Sequence, residues 1–169
     1  MAVKAALEYN GPMYLRFGRF AVPNLTAEMP GYKFELGKGV IMKEGTDVTL
    51  VATGYMVHVA LEAAELLAAE GINAEVINNH TIKPLDTSLI AASAKKTGAV
   101  VTAEEHNVVG GLGGAVCEAL AETCPVPTLR VGVEDKYGRS GKVPALLEMY
   151  GLTKENIAAK AKAAIALKK

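Results

Sequence analysis

Three short runs of apolar, mostly β-branched residues occupy the middle of the chain, and a helical pattern separates each run from the next. The runs are Val48–Ala52 (VTLVA), Ala74–Asn78 (AEVIN) and residues 99–103 (AVVTA). Apolar runs of this length are typical of strands that are covered on both faces. Strands joined by helices require right-handed crossovers, so the sequence predicts a mainly parallel sheet between two layers of helices.

The flanking patterns extend this order. Further strands are predicted at residues 40–42 and Thr128–Val133. Helices are predicted at residues 56–70, at Thr87–Thr97 after the capping Asp86, from the glycine-rich stretch 110–114 to Thr123, at residues 142–150, and from the capping Thr153 to Lys169. The expected fold class is α/β, with three layers and five strands, and it allows one antiparallel strand at the edge.

The first part of the chain does not fit this order. Residues 2–9 predict a helix and residues 13–17 a strand, and these two elements cannot bury a face by themselves. A stretch without periodicity follows, with Pro23 and Pro30, and it is typical of an extended linker. The start within a helical pattern indicates a truncated or split gene product.

Composition excludes several classes of protein. Lys and Arg total 18 and balance 18 Asp and Glu, which is unlike a nucleic-acid-binding protein. There is no apolar signal core and no apolar run of about 18 residues, so we expect no membrane span.

Cys117 and Cys124 are predicted on one helix, roughly 10 Å apart, too far for a disulfide. Free thiols predict a cytoplasmic protein.

The glycine-rich stretch 110–114 (GGLGG) lies between a strand and a helix, where a phosphate-binding loop would lie. It does not match the dinucleotide fingerprint, because Val116 takes the last glycine position when the count starts at Gly111. One hypothesis is a stand-alone nucleotide-binding protein. The other is that the glycines let the helix begin close to a neighbouring element.

Several polar residues near predicted strand ends are candidates for a site. Glu104, Glu105 and His106 could support acid–base chemistry, but neighbouring residues on an extended chain point to opposite sides. We therefore favour a structural role that anchors a loop or an interface. His80 also follows a strand, and His58 is predicted on a solvated helix face.

Arg16 and Arg19 lie in the segment GPMYLRFGRF. An arginine at a strand end can hold a phosphate or carboxylate with its planar guanidinium. Most surface arginines have no such role, so the motif alone is a weak signal.

Taken together, several segments resemble the transketolase family, in particular the C-terminal subunit of split transketolases. The matching segments are residues 11–19 (GPMYLRFGR), 47–54 (DVTLVATG), 80–86 (HTIKPLD), 102–114 (TAEEHNVVGGLGG) and 137–141 (YGRSG). The resemblance spans about residues 2–167. It favours transketolase over deoxyxylulose-phosphate synthase or the beta chain of 2-oxo-acid dehydrogenases, which share this domain.

The resemblance implies a division of the chain into three parts. Residues 1–20 would be the remnant of a pyrimidine-binding domain, residues 21–37 a linker, and residues 38–169 the C-terminal domain. In the complete enzyme, two domains from different subunits enclose thiamine diphosphate and Mg, and a two-carbon ketol unit passes from a ketose to an aldose phosphate. The implied partner is an N-terminal transketolase domain or subunit. The complete enzyme would be a homodimer that acts in the pentose phosphate pathway.

The resemblance also assigns residues. Arg19 matches the arginine that binds the sugar phosphate, in agreement with its chemistry as an anion-binding side chain. No catalytic, cofactor-binding or metal-binding residue carries over, and His80 and His106 match no catalytic position. We therefore expect the chain alone to bind no cofactor and not to catalyse.

Overall fold

A computed structural model describes residues 1–27 and 29–168. Glu28, in the predicted linker, and Lys169, at the end of the predicted last helix, lie outside the described residues. The strands are β1 (Val40–Lys43), β2 (Val48–Ala52), β3 (Ala74–Asn78), β4 (Val100–Asn107) and β5 (Thr128–Val133). The helices are α1 (Ala2–Glu8), α2 (Met56–Ala69), α3 (Thr87–Thr97), α4 (Leu112–Thr123), α5 (Val143–Met149) and α6 (Lys154–Ala166).

The sheet has the strand order β1-β3-β2-β4-β5. β2, β3, β4 and β5 are mutually parallel, and β1 pairs with β3 in the antiparallel direction at the edge. The central strand β2 places Leu50 opposite Val76 of β3 and Val101 of β4. The predicted α/β class, the five strands and the antiparallel edge strand are therefore confirmed.

Two apolar layers cover the sheet, one on each face. Leu50 belongs to the larger cluster, in which the sheet packs against α2 and α6, and Val51 belongs to the smaller one, against α3 and α4. Every residue of β2 is buried, as its continuous apolar run predicts. Small side chains let α2 and α6 pack closely; these are Ala60, Ala63, Ala64, Ala158, Ala161 and Ala164.

The predicted strand at residues 13–17 is wrong. These residues have irregular backbone, and within the described chain no strand runs beside them to supply a hydrogen-bonding partner. Predicted helix α1 is present, but none of its residues is buried. Alternating apolar residues alone do not make a strand, because its backbone groups need a neighbouring strand.

Strand β4 is longer than predicted, because it continues beyond Ala103 to Asn107. Its pairing with β5 shifts between Ala103 and Asn107, which marks a bulge or irregularity in the ladder. Glu104, Glu105 and His106 are therefore part of the strand and do not follow it. The consequence is that their side chains are held by the sheet at its carboxyl edge.

Candidate functional site

The carboxyl ends of β2 and β4 are neighbours, and the N-terminal segment crosses this edge of the sheet. Arg16 Nη2 donates to the carbonyl oxygen of Glu105, over 3.4 Å. The ring of Phe20 meets the ring of Tyr55 edge to face, with centroids 5.9 Å apart. Arg19 lies between these two contacts and is exposed. An arginine is thus presented at the sheet edge where α/β proteins commonly bind ligands.

The glycine-rich loop is occupied by a carboxylate of the protein itself. Glu104 is 1% exposed, and its two carboxylate oxygens accept the N–H groups of Leu112 at 2.7 Å and Gly113 at 2.8 Å. Both donors belong to the first turn of α4. Because a helix N-terminus leaves N–H groups without partners, a buried acidic side chain here satisfies them and complements the helix dipole.

Close packing explains why glycines occur in this loop. A Cβ atom on Gly111 would lie 2.0 Å from Glu104 Oε2, and one on Gly113 would lie 2.8 Å from Arg130 Cδ and 2.9 Å from Thr102 Oγ1. The glycines therefore allow helix and strand to approach each other. The N–H groups that a phosphate would use are already bonded to Glu104, so the geometry does not favour the nucleotide-binding hypothesis.

The strand β4 separates the side chains of Glu104, Glu105 and His106. Glu104 is buried, Glu105 is half-buried, and His106 is exposed with Nδ1 3.1 Å from the carbonyl oxygen of Asn107. Glu104 has the structural, loop-anchoring role that we favoured. Asn107 in turn donates to Asp135 Oδ1 at 3.0 Å.

His80 attaches the stretch before β1 to the loop after β3. Its imidazole stacks on the ring of Phe34, with centroids 4.3 Å apart, and its Nδ1 lies 2.9 Å from Thr81 Oγ1. The same hydroxyl oxygen accepts the N–H of Gly37 at 3.3 Å. Burial lowers the pKa of His80 below its usual value.

We expect stability to fall as the pH drops from 7 to 5.5, because His80 is neutral in the folded protein and protonates more readily when unfolded. Because the pKa of His80 is lowered by folding, its contribution to the free energy of unfolding is fully present above the pKa of the unfolded state, about 6.5. That contribution is lost as the pH falls below this value toward the lower pKa of the folded state. One such proton gives a slope of at most about 1.4 kcal/mol per pH unit. Urea unfolding at several pH values measures this.

The matched control for this slope is His106→Gln, since His106 is exposed. His80→Gln should flatten the slope and His106→Gln should leave it unchanged. Asp86 does not interfere in this pH window. Burial raises its pKa, but hydrogen bonds from Ser88 and from the N–H groups of Gly39 and Leu89 outweigh burial and lower it. An unchanged slope in His80→Gln would contradict the assignment.

Two ring contacts of Tyr55 were not predicted from the sequence. His58 is half-buried, not solvated as predicted, and its ring meets Tyr55 edge to face at 4.5 Å. Tyr55 also holds Phe20. No sequence spacing signals the contact of Phe20 with Tyr55, because these two residues are far apart in the chain. Tyr55 and His58 are three residues apart, a spacing that brings side chains together on a helix. Both cysteines are free, as predicted, but half-buried.

The described residues hold neither a metal-ligand cluster nor a helix that could span a membrane. Among residues 1–27 and 29–168, no cluster of three or more His, Cys, Asp or Glu side chains is placed to hold a metal ion. In the same part of the chain, none of the helices is long and apolar enough to cross a membrane.

Fold and site together define a three-layer α/β domain with an antiparallel first strand. Glu104 caps the helix that follows the glycine-rich loop, and an arginine lies at the carboxyl edge of the sheet. The chain belongs to the transketolase family. The family model described as "Transketolase, C-terminal domain" matches residues 37–157.

Individual relatives agree with this assignment. The chain is 50% identical over 151 residues to the 6-deoxy-6-sulfo-D-fructose transketolase subunit SqwH of Clostridium sp. (strain MSTE9), covering 89% of this chain and 46% of that protein. It is 43% identical over 157 residues to a 1-deoxy-D-xylulose-5-phosphate synthase of Heliobacterium modesticaldum (strain ATCC 51547 / Ice1), covering 92% of this chain and 24% of the synthase.

A solved structure is also similar. A chain described as "Split gene transketolase, inactive beta4 tetramer" superimposes with a TM-score of 0.94 at 50% identity, covering 99% of this chain and 55% of that one. The chain thus spans about half or less of the length of these relatives. The main prediction of a transketolase C-terminal domain is confirmed, and the deoxyxylulose-phosphate synthase alternative is not favoured.

Proposed function

We propose that this chain is the C-terminal, subunit-organising part of a cytoplasmic transketolase that moves a two-carbon ketol unit between sugars. The observation that carries the proposal is the likeness to the split-gene transketolase over 99% of this chain. Its partner is an N-terminal transketolase subunit, and the complete enzyme is built around a homodimer acting on pentose phosphate pathway sugars. The division into residues 1–20, 21–37 and 38–169 belongs to this proposal.

Thiamine diphosphate and Mg would be bound mainly by the partner. The helix N-terminus that could receive a diphosphate, that of α4, is bonded to Glu104. The described residues likewise offer no cluster of ligands for a metal ion. These residues do not fit the cofactor, so no chemical step is assigned to them.

Calorimetric titration with thiamine diphosphate and Mg tests this division of labour. The chain alone should bind the cofactor weakly or not at all, and the chain mixed with the N-terminal subunit should bind it tightly and gain activity. Tight binding by the chain alone would contradict the proposal. Failure of the mixture to gain ketol transfer would contradict it as well.

Arg19 is the residue proposed to bind the terminal anion of the sugar. Two relatives carry names that specify sugars with such a group, 6-deoxy-6-sulfo-D-fructose in one and 1-deoxy-D-xylulose 5-phosphate in the other. A sulfonate and a phosphate each present several oxygens, two of which a planar guanidinium can bind with a pair of hydrogen bonds. Arg19 is exposed at the sheet edge, where such a group can reach it.

In the complete enzyme, Arg19→Ala should raise KM for a ketose phosphate about 10- to 100-fold, the cost of losing a charge-assisted hydrogen-bonded contact. KM for the same ketose without phosphate should change by less than about twofold, since that sugar has no anionic group for Arg19 to bind. Steady-state kinetics with both substrates measures the difference.

Arg139→Ala serves as the control, because Arg139 is also exposed but lies in the loop after β5. It should leave both KM values unchanged. Arg19→Lys should recover only part of the loss, since an ammonium lacks the planar fork. Equal effects of Arg19→Ala on the two substrates would remove the anion-binding role.

A further inference from the structure

Two contacts hold the short segment that carries Arg19. Three residues before it, Arg16 Nη2 donates to the carbonyl oxygen of Glu105, at the carboxyl end of β4. One residue after it, the Phe20 ring contacts Tyr55 with an interplanar angle of 74°. The segment has irregular backbone, so these contacts replace secondary structure as its support. The position of Arg19 is therefore constrained from both sides.

Tyr55 is the stronger of the two supports, because the hydrogen bond of Arg16 is long, at 3.4 Å, and exposed to solvent, whereas Tyr55 is packed on the core. It precedes the first residue of α2, and it packs against the larger apolar cluster. Its ring meets His58 of α2 edge to face, with an interplanar angle of 89°. The strand before it, β2, is buried throughout. Tyr55 thus links a rigid core to Phe20, the neighbour of Arg19.

We propose that Tyr55 is a positioning residue, which acts through Phe20 to hold Arg19 where it meets the terminal anion of the sugar. The inference rests on the proposed function of Arg19. A guanidinium binds two oxygens only in a narrow range of orientations. A segment that is docked beforehand also loses less conformational entropy when the sugar binds. Neither advantage depends on the tyrosine hydroxyl, so the ring alone should suffice.

Kinetics of the complete enzyme test the proposal. Tyr55→Ala should raise KM for a ketose phosphate about 10-fold, because small displacements of a binding group are costly, and change KM for the unphosphorylated ketose by less than about twofold. Tyr55→Phe keeps the ring and should behave as the wild type. A purely structural role would change kcat and both KM values together, and that result would overturn the proposal.

A double variant separates the residue from its target. If Tyr55 acts through Arg19, the variant carrying both Tyr55→Ala and Arg19→Ala should have the KM of Arg19→Ala alone. If the effects of Tyr55→Ala and Arg19→Ala on KM multiply in the double variant, the positioning role is overturned. If Arg19→Ala itself fails to discriminate between the two substrates, both the proposed function of Arg19 and this inference are overturned. If Arg19→Ala discriminates and Tyr55→Ala has no effect, only the inference is overturned.

Limited trypsin digestion gives a readout without any substrate. Trypsin cleaves after arginine, and Arg16, Arg19 and Arg139 are all exposed. In the full chain, Tyr55→Ala should speed cleavage after Arg19 several-fold, while cleavage after Arg139 serves as the internal control and stays unchanged. Equal rates after Arg19 in wild type and Tyr55→Ala would overturn the proposal. A general rise at all three sites would indicate unfolding and would also count against it.

Discussion

Glu104→Ala is expected to lower the free energy of unfolding by about 4 kcal/mol, the largest loss that we predict for a single side chain. The carboxylate is 1% exposed and accepts two N–H groups from the first turn of α4. Its removal leaves both donors buried without partners and opens a void beneath the glycine-rich loop. Urea unfolding of the chain measures the loss.

Two variants make this measurement specific. Glu104→Gln keeps the shape but turns an NH2 group toward one of the two N–H donors, so we expect an intermediate loss of about 2 kcal/mol. Glu105→Ala is the matched control, because Glu105 is the next residue, is only half-buried, and uses its backbone carbonyl for the contact with Arg16. A wild-type stability for Glu104→Ala, or an equal loss in Glu105→Ala, would contradict the capping role.

Gly45→Ala is expected to cost about 3 kcal/mol, at the upper end of the range for overpacking. Gly45 is buried in the turn between β1 and β2, and a Cβ atom there would lie 2.2 Å from the carbonyl carbon of Ala74 and 2.2 Å from the nitrogen of Glu75. Those are backbone atoms of β3, which cannot rotate away as a side chain can. Thermal unfolding should show a midpoint lower by about 10 °C.

The turn is also fixed from its other side. The N–H groups of Thr46 and Asp47 both donate to the carbonyl oxygen of Asn73, at 3.0 Å and 2.9 Å, and Asn73 N–H donates to Asp47 Oδ2 at 2.6 Å. A shift that relieves the clash at Gly45 must therefore stretch these bonds. The predicted cost combines both effects.

Gly114→Ala is the matched control for a glycine-to-alanine change. Gly114 lies in α4, and nothing lies within 4 Å of the Cβ atom that alanine would add. Because alanine has the better helix propensity, this variant should be about 0.5–1 kcal/mol more stable than the wild type. A similar loss in both variants would show that the close approach at Gly45 is not the cause.

Much of the fold could be predicted because its signals are local. The continuous apolar run of β2 identified a strand that is covered on both faces, and the structure buries all of it. Asp86 was predicted to cap α3, and its carboxylate accepts the N–H of Leu89. Thr153 likewise caps α6, where its side chain accepts the N–H of Asn156.

Errors occurred where the outcome depended on a distant neighbour. Residues 13–17 have a strand-like sequence but no strand beside them in the described chain, whereas β4 continues past Ala103 to Asn107, which pairs with Val133 of β5. The error at His58 is local instead, because the predicted helix begins at Met56 and so omits Tyr55, whose ring contacts His58 three residues later. Strand pairing, by contrast, is a long-range contact, and single-sequence periodicity does not contain it.

The sequence by itself determined the α/β class, the element order and the resemblance to transketolases, since each depends on local patterns that follow one another along the chain. Only the tertiary structure decided what the glycine-rich loop does. Its spacing left open whether it holds a phosphate or packs closely, and the answer came from Glu104, eight residues before Leu112 in the chain and 2.7 Å away in the fold. A buried carboxylate on the helix N-terminus removes the donors that a phosphate needs. Folding likewise placed Phe20, the residue after Arg19, against the ring of Tyr55. These two residues are far apart in the chain, so no local pattern contains the contact.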